Sequence, residues 1–324
     1  MINLGLLLTN QYRLLSSAAI LDVFKTVNNL FLEQKQTAPF QISLIYSDDD
    51  NFNHQLVFPG YQLQSLHSGT VYDLILIPAF ANDHLEESLQ KNREEIKWLK
   101  GQYEGGAALA SFCTGAFILG ATGLLDHKIA TTHVDASAAL ARFFPKIKVE
   151  AEKTVTQDGR LFTSGGATSS FHLMLFLIQQ YCGKEVTVRI AKFFAIDMDR
   201  RTQSYFNTFQ ISHHHHDELV AMAQQKIENA YHNTGTIEEM IKDIPASRRN
   251  IARRFKLVTG ITPIAYLQQT RIEAAKKLLE QTAEQMTEVI FKTGYSDPKA
   301  FRKVFRKTVG MTPTEYREKF YVGG

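Results

Sequence analysis

Four apolar runs of strand length punctuate the first part of the chain: "INLGLLL" at 2–8, "FQISLIY" at 40–46, "YDLILIP" at 72–78 and "AALASFC" at 107–113. Helix-compatible segments such as 83–100 separate them. That alternation predicts a parallel sheet covered on both faces by helices, a flavodoxin-like α/β domain. "KIATTH", "KVEAEKTVTQ" and "RLFTSGG" supply further short strands or a hairpin, with "DG" at 158–159 as its turn. The run "TSSFHLMLFLIQQYCG" then reads as a buried helix ended by Gly183. Together these elements fill residues 1–195 as one domain.

Residues 196–218 hold no sustained period and are dense in polar side chains, so a linker is expected there. Beyond it the pattern changes to short amphipathic helices, and the sequence repeats itself. "RRFKLVTGITPIAYLQ" (253–268) returns as "KVFRKTVGMTPTEYRE" (303–318), with Phe255, Gly260, Thr262, Pro263 and Tyr266 matched 50 positions later by Phe305, Gly310, Thr312, Pro313 and Tyr316. Gly260 and Gly310 end a helix, and the following Thr-Pro caps and starts the next. Ser247 and Asp297 are equivalent N-caps upstream. "TIEE" (236–239) has capping-box form before a short helix ending near Asp243, and 286–293 is its counterpart, stopping at Gly294. This is helix-turn-helix spacing, twice, in an all-α domain over 219–324.

Charge follows the same division. Residues 1–218 carry 18 Lys+Arg against 22 Asp+Glu, whereas 219–324 carry 18 against 11, a net of +7. In the second helix of each unit, Ile251, Phe255 and Val258, then Phe301, Phe305 and Val309, mark the core face. Opposite lie Arg248, Arg249, Ala252, Arg253 and Lys256, then Lys299, Arg302, Lys303 and Arg306. A solvated face is the ordinary explanation of one basic helix; two equivalent ones in the only basic part of the chain point to double-stranded DNA.

Composition adds limits. Cys113 and Cys182 are the only cysteines, too few for a disulfide framework, so a reducing, cytoplasmic setting is expected. No secretion signal is evident in "MINLGLLLTNQYR". The uncharged stretch 107–125 contains three glycines and a strand-to-helix pattern, so it reads as buried core and no membrane partner is expected. Histidines 213–216 are consecutive, and adjacent residues rarely converge on one ion; a solvated linker segment is expected, with no metal and no cofactor.

"ALASFCTGAFILG" (108–120) is a strand-to-helix elbow of the kind that lifts a nucleophile clear of a sheet and places the next backbone N–H beside a developing oxyanion. A working Cys113 would need a base or carboxylate beside it and a second N–H from a flexible turn. His133 is the best available partner, although a histidine satisfied by backbone fits the position at least as well.

The C-terminal hundred residues resemble the DNA-binding domain of the AraC/XylS family, most closely in "VIFKTGYSDPKAFRKVFRKTVGMTPTEYR" (289–317). The resemblance implies two recognition helices joined by the long helix 263–281, with Arg249, Ala252 and Arg253, then Lys299, Arg302 and Lys303, nearest the bases. The first domain resembles the PfpI type of the class I glutamine amidotransferase-like fold, in "SFCTGAFILGATGLLDHKIATTHV" (111–134) and "TSGGATSSFHLMLFLI" (163–178). In this order the two resemble GlxA-type transcriptional regulators. Relative to enzymes of the fold, Ser16 stands at an acidic position, Asp22 lies on the following helix, Thr114 replaces a His, His172 falls on an apolar helix, and "IPAFAND" (77–83) lacks paired glycines, with Ala79 and Phe80 in their place.

The sequence therefore reads as a transcriptional regulator, not an enzyme. Its first domain senses a small-molecule effector or dimerises, with Cys113, Thr114, His133, Ser16 and Phe80 as candidate pocket residues. A homodimer is expected, with RNA polymerase a further candidate partner. The alternatives are a Cys-dependent amidase, hydratase or protease fused to a DNA-binding module, and a purely structural dimerisation domain.

Overall fold

A computed structural model of the chain describes residues 1–47, 54–81, 84–198, 215 and 217–322. The chain divides into two compact units, Met1–Gln203 and Ser204–Gly324. Most of the expected linker lies outside the described residues. At its end Asp217 already caps a helix, accepting from the Val220 N–H at 3.2 Å, so helical structure begins one residue before 219.

The first unit runs β1 (Ile2–Leu7), α1 (Leu14–Glu33), β2 (Phe40–Tyr46), α2 (His54–Val57), β3 (Gln62–Ser65), β4 (Leu74–Ile77), α3 (Leu85–Lys91), α4 (Arg93–Glu104), β5 (Ala108–Ser111), α5 (Gly115–Ala121), β6 (Ile129–Ala130), α6 (Ser137–Phe143), β7 (Lys148–Val149), β8 (Val155–Asp158), β9 (Leu161–Ser164) and α7 (Ser169–Phe193). Strand order in the main sheet is β3-β2-β1-β4-β5-β9-β8, parallel throughout except for the β8–β9 hairpin, whose turn includes Gly159. β6 and β7 form a separate two-stranded pair. Counting only β1, β2, β4, β5 and β9, the order is that of a flavodoxin-like sheet, in agreement with the expected class.

Alternation along each strand builds two cores. Leu74 and Leu76 face α1 and α7 with Leu4, Leu6, Ala110 and Phe162, while Ile75 and Ile77 face the other layer with Leu7, Leu109 and Phe117. All four residues of β4 and of β5 are buried, because parallel strands under helices on both sides have no wet face. The segment 83–100 is not one helix. Asn92, fully buried, interrupts it by accepting from the Asn10 N–H at 2.6 Å and donating to the Ser88 carbonyl at 2.7 Å. The helix expected to stop at Gly183 does break there, at φ 84° and ψ 171°, and then resumes to Phe193.

The second unit is helical: α8 (Glu218–Ala230), α9 (Ile237–Met240), α10 (Arg248–Thr259), α11 (Pro263–Gln281), α12 (Met286–Lys292), α13 (Pro298–Val309) and α14 (Pro313–Phe320). The caps stand where the sequence put them. Ser247, Thr262, Asp297 and Thr312 each accept a backbone N–H of the following helix, and Thr236 and Thr312 complete capping boxes. Two apolar clusters result, one around Phe255 and one around Phe305, with α11 contributing to both. Among the described residues no helix is long and apolar enough to cross a membrane.

Gly310 closes α13 at φ 87°, a left-handed conformation that a β-branched side chain resists. Gly310→Val should therefore destabilise this unit by about 1–3 kcal/mol. Calorimetry of the full chain checks it: the transition of the helical unit falls while that of the α/β unit stays.

Candidate functional site

The carboxyl edge of the parallel sheet gathers the segments that follow β1, β4, β5 and β9. That edge is where open α/β sheets bind ligands. At its centre Cys113 takes φ 54°, the strained turn expected of an elbow. It is held from both sides, because the Phe112 N–H donates to the Ile77 carbonyl at 2.9 Å and the Thr132 hydroxyl donates to the Cys113 carbonyl at 2.8 Å. Burial pushes the thiol pKa up. The Ala167 and Thr114 backbone N–H groups and the Arg13 charge pull the other way and do not overcome it. The half-buried thiol is thus kept in its protonated form at neutral pH.

The turn that would supply the second oxyanion donor has its donors engaged. The Ala79 N–H donates to Ser16 Oγ at 3.1 Å and the Phe80 N–H to Thr114 Oγ1 at 3.0 Å, while the Thr114 hydroxyl returns a bond to the Phe80 carbonyl at 2.8 Å. On the other side the Arg13 N–H reaches the Ala79 carbonyl at 2.7 Å and the Ala81 N–H the Gln11 carbonyl at 3.0 Å. Ser16 and Thr114 act as latches on this turn. Their pairing with a backbone segment 63 or 34 residues away left no trace in local sequence. Phe80 is fully buried in the core with Phe117 and corrects its assignment as a pocket residue, since the latched turn directs its ring inward.

His133 does not pair with the thiol. Its Nδ1 accepts from the Asp135 N–H at 3.2 Å, and its ring lies over Gly166, where any Cβ would meet Cδ2 at 1.9 Å. The ring nitrogens of His172 stand 3.3 Å from the Thr168 carbonyl and 2.8 Å from the Asp197 carbonyl, so that residue ties α7 to the chain beyond it. Asp22 is exposed on α1. Among the described residues no cluster of His, Cys, Asp or Glu could hold a metal ion. Of histidines 213–216 only His215 is described. It is half-buried and bonded through Nε2 to Gln224 Oε1 at 2.7 Å, so at this residue the solvated reading is corrected.

In the helical unit, Arg248, Arg249, Ala252, Arg253 and Lys256 are all exposed along α10, as are Lys299, Arg302, Lys303 and Arg306 along α13. Ile251 and Phe255, then Phe301, Phe305 and Val309, are buried on the opposite sides. Among the described residues none of these cations is in an ion pair. Arg254 differs, for its Nε donates to Asp217 Oδ2 at 2.8 Å and leaves the open face. The repeat also holds contacts that its sequence did not reveal. Tyr266 donates to Glu228 on α8 at 2.6 Å, and Tyr316 donates to Glu280 on α11 in the same way; burial and the carboxylate both push the two phenol pKa values up.

Comparison with known proteins separates the same two parts. Residues 44–180 match the DJ-1/PfpI family and residues 241–319 match a helix-turn-helix domain. The chain is similar to the HTH-type transcriptional regulator GbdR of Pseudomonas aeruginosa, 27% identical over 231 residues that make up 70% of this chain and 62% of that protein. It is likewise similar to CdhR of the same species, 28% identical over 68% of this chain and 66% of the relative. A solved transcriptional regulator chain from Vibrio parahaemolyticus superposes with a TM-score of 0.50 at 19% identity, over 59% of this chain and 98% of its own, which shows a shared fold.

The thiol's environment sets a chemical expectation. With Cys182→Ser removing the other thiol, iodoacetamide should label Cys113 at pH 7 more slowly than free cysteine, since a raised pKa lowers the thiolate fraction. The rate should climb as pH rises past the ordinary thiol range. Arg13→Ala should slow labelling further, because it removes the cation that favours thiolate. Labelling as fast as free cysteine at pH 7 would contradict this account.

Proposed function

We infer that this chain, a DJ-1/PfpI-family domain followed by an AraC-type helix-turn-helix domain, is a sequence-specific DNA-binding transcriptional regulator. One observation carries the reading: two helices, fifty residues apart in an internal repeat, each expose a row of cations that form no ion pair among the described residues, on the side opposite a buried Phe. Unpaired exposed cations at such density repel one another, and a phosphate backbone relieves that repulsion. The relatives described above are named as regulators of this kind.

In this reading α10 and α13 enter successive major-groove segments. Arg249, Ala252 and Arg253, with Lys299, Arg302 and Lys303, stand nearest the groove, the arginines among them facing base edges and the lysines the adjoining phosphates, while Arg248 and Arg306 take phosphates. The first domain senses a small molecule at the carboxyl edge of its sheet. Sensing fits that edge better than turnover does, because the thiol is held protonated and the neighbouring turn spends its N–H groups internally. A homodimer would present four basic helices to DNA.

The two helices should divide the work. Arginine's planar fork pairs with one guanine edge, whereas lysine settles on phosphate as a point charge. On the duplex that the full chain selects from a random pool, Arg253→Ala should cost about 1–3 kcal/mol and relax selectivity at one base pair. Lys303→Ala should weaken binding evenly across sequences and reduce the salt slope by about one unit. Titrations at several salt concentrations with single-base variants measure both. Unchanged affinity in both variants would reduce the basic faces to solvated surface.

A further inference from the structure

Arg271 stands in the middle of α11, the helix shared by both helix-turn-helix units, and it points to neither DNA-facing surface. Its Nε donates to the Tyr231 carbonyl at 2.8 Å and its Nη2 to the Asn233 carbonyl at 2.7 Å. Both carbonyls belong to the connection between α8 and α9, on the side of the first helix-turn-helix. The guanidinium also lies 5.4 Å from the centroid of the Tyr295 ring, which follows α12 in the second unit. Gly294 completes the contact from that side. It is buried at φ 82°, and a Cβ there would lie 2.2 Å from the Tyr231 oxygen, 2.9 Å from Arg271 Nε and 3.1 Å from the Asn233 oxygen. Three segments therefore meet at one point with no room for a side chain.

The internal repeat departs from itself at this point. Fifty positions before Gly294 and Tyr295 stand Ile244 and Pro245. Duplicated residues shape each unit from within, whereas these unduplicated ones sit where the two units touch. The apolar clusters around Phe255 and Phe305 are separate, so hydrophobic packing ties each helix-turn-helix unit to α11 but not to the other, and bending of α11 would move one against the other. Two directional hydrogen bonds, a cation over an aromatic face and a backbone-to-backbone approach remove that freedom.

We propose that Arg271 and Gly294 form a joint that fixes the distance and angle between α10 and α13, and so makes the chain demand one spacing between the two DNA segments it contacts. This rests on the reading of α10 and α13 as DNA-binding helices. Arg271 is a positioning residue that touches no DNA. A rigid joint makes the second helix's contact intramolecular and pre-oriented, and a loose one dilutes it over many orientations. Lysine cannot replace arginine here, since its single ammonium lacks the fork that reaches two carbonyls while lying flat against a ring.

The test uses the full chain and the duplex it enriches from a random pool, with 2 base pairs inserted or deleted between the protected segments. Two base pairs rotate one segment by roughly 70° about the DNA axis. Wild-type affinity should fall on the order of 30-fold on the altered spacings, because one of the two helices then loses its groove. Arg271→Ala and Arg271→Lys should each bind the natural spacing about tenfold more weakly, while the penalty for altered spacing shrinks to a few-fold. Melting curves identify any variant that does not fold, and the lysine variant carries the test if the alanine one fails. Variants that weaken binding yet keep the full spacing penalty would overturn the proposal, as would a wild-type chain indifferent to spacing. Failure of the wild-type chain to enrich any duplex would instead reject the DNA-binding reading.

Discussion

Each basic helix of the second unit can leave its whole outer face charged only because an aromatic clamp keeps its inner face dry. Phe255 meets Tyr266 edge to face at 5.2 Å, and Phe305 meets Tyr316 likewise at 5.6 Å. In both copies the tyrosine hydroxyl then donates to a glutamate on the helix that opens the unit. The clamp ties three helices together through one side chain: its ring packs against the basic helix, its backbone starts the next helix, and its hydroxyl reaches the previous one. Burying such a ring with its hydroxyl satisfied stabilises far more than any surface pair at the exposed face. The charged face is thereby released from structural duty.

The first unit obeys a different constraint with a similar outcome. Parallel strands buried on both sides force every connection to one edge or the other, and the carboxyl edge collects Arg13, the 78–81 turn, Cys113 and the 165–168 turn. The elbow survives because β5 must end and α5 begin within a few residues. Its surroundings have been turned inward, with Ser16 and Thr114 holding backbone donors that a catalytic turn would leave free. Arg13 and the two amides near the thiol still make this edge locally positive, which suits recognition without requiring chemistry.

Features set by short-range pattern were legible in the sequence: the buried strands, the elbow, the glycine stops, the Thr-Pro restarts and the fifty-residue repeat. β3, "QLQS", was missed because a polar edge strand carries no apolar run. The break at Asn92 was missed because its cause is a hydrogen bond to Asn10, 82 residues away. The pairing of Arg254 with Asp217 was not legible either, since 37 residues separate the two. At the candidate site, sequence located Cys113, Thr114 and Ser16 but not what the hydroxyls hold, since the geometry of a turn 34 or 63 residues distant is a property of the fold. The residues of the joint between the two helix-turn-helix motifs were present only as a flaw in the repeat.

The account stands or falls on whether α10 and α13 read one duplex together. Hydroxyl-radical footprinting of the full chain on the duplex it selects measures this directly. Two protected stretches on one face of the DNA, about 10 base pairs apart centre to centre, are predicted, because one chain presents both helices from the same side. A single protected stretch, or two on opposite faces, would contradict it.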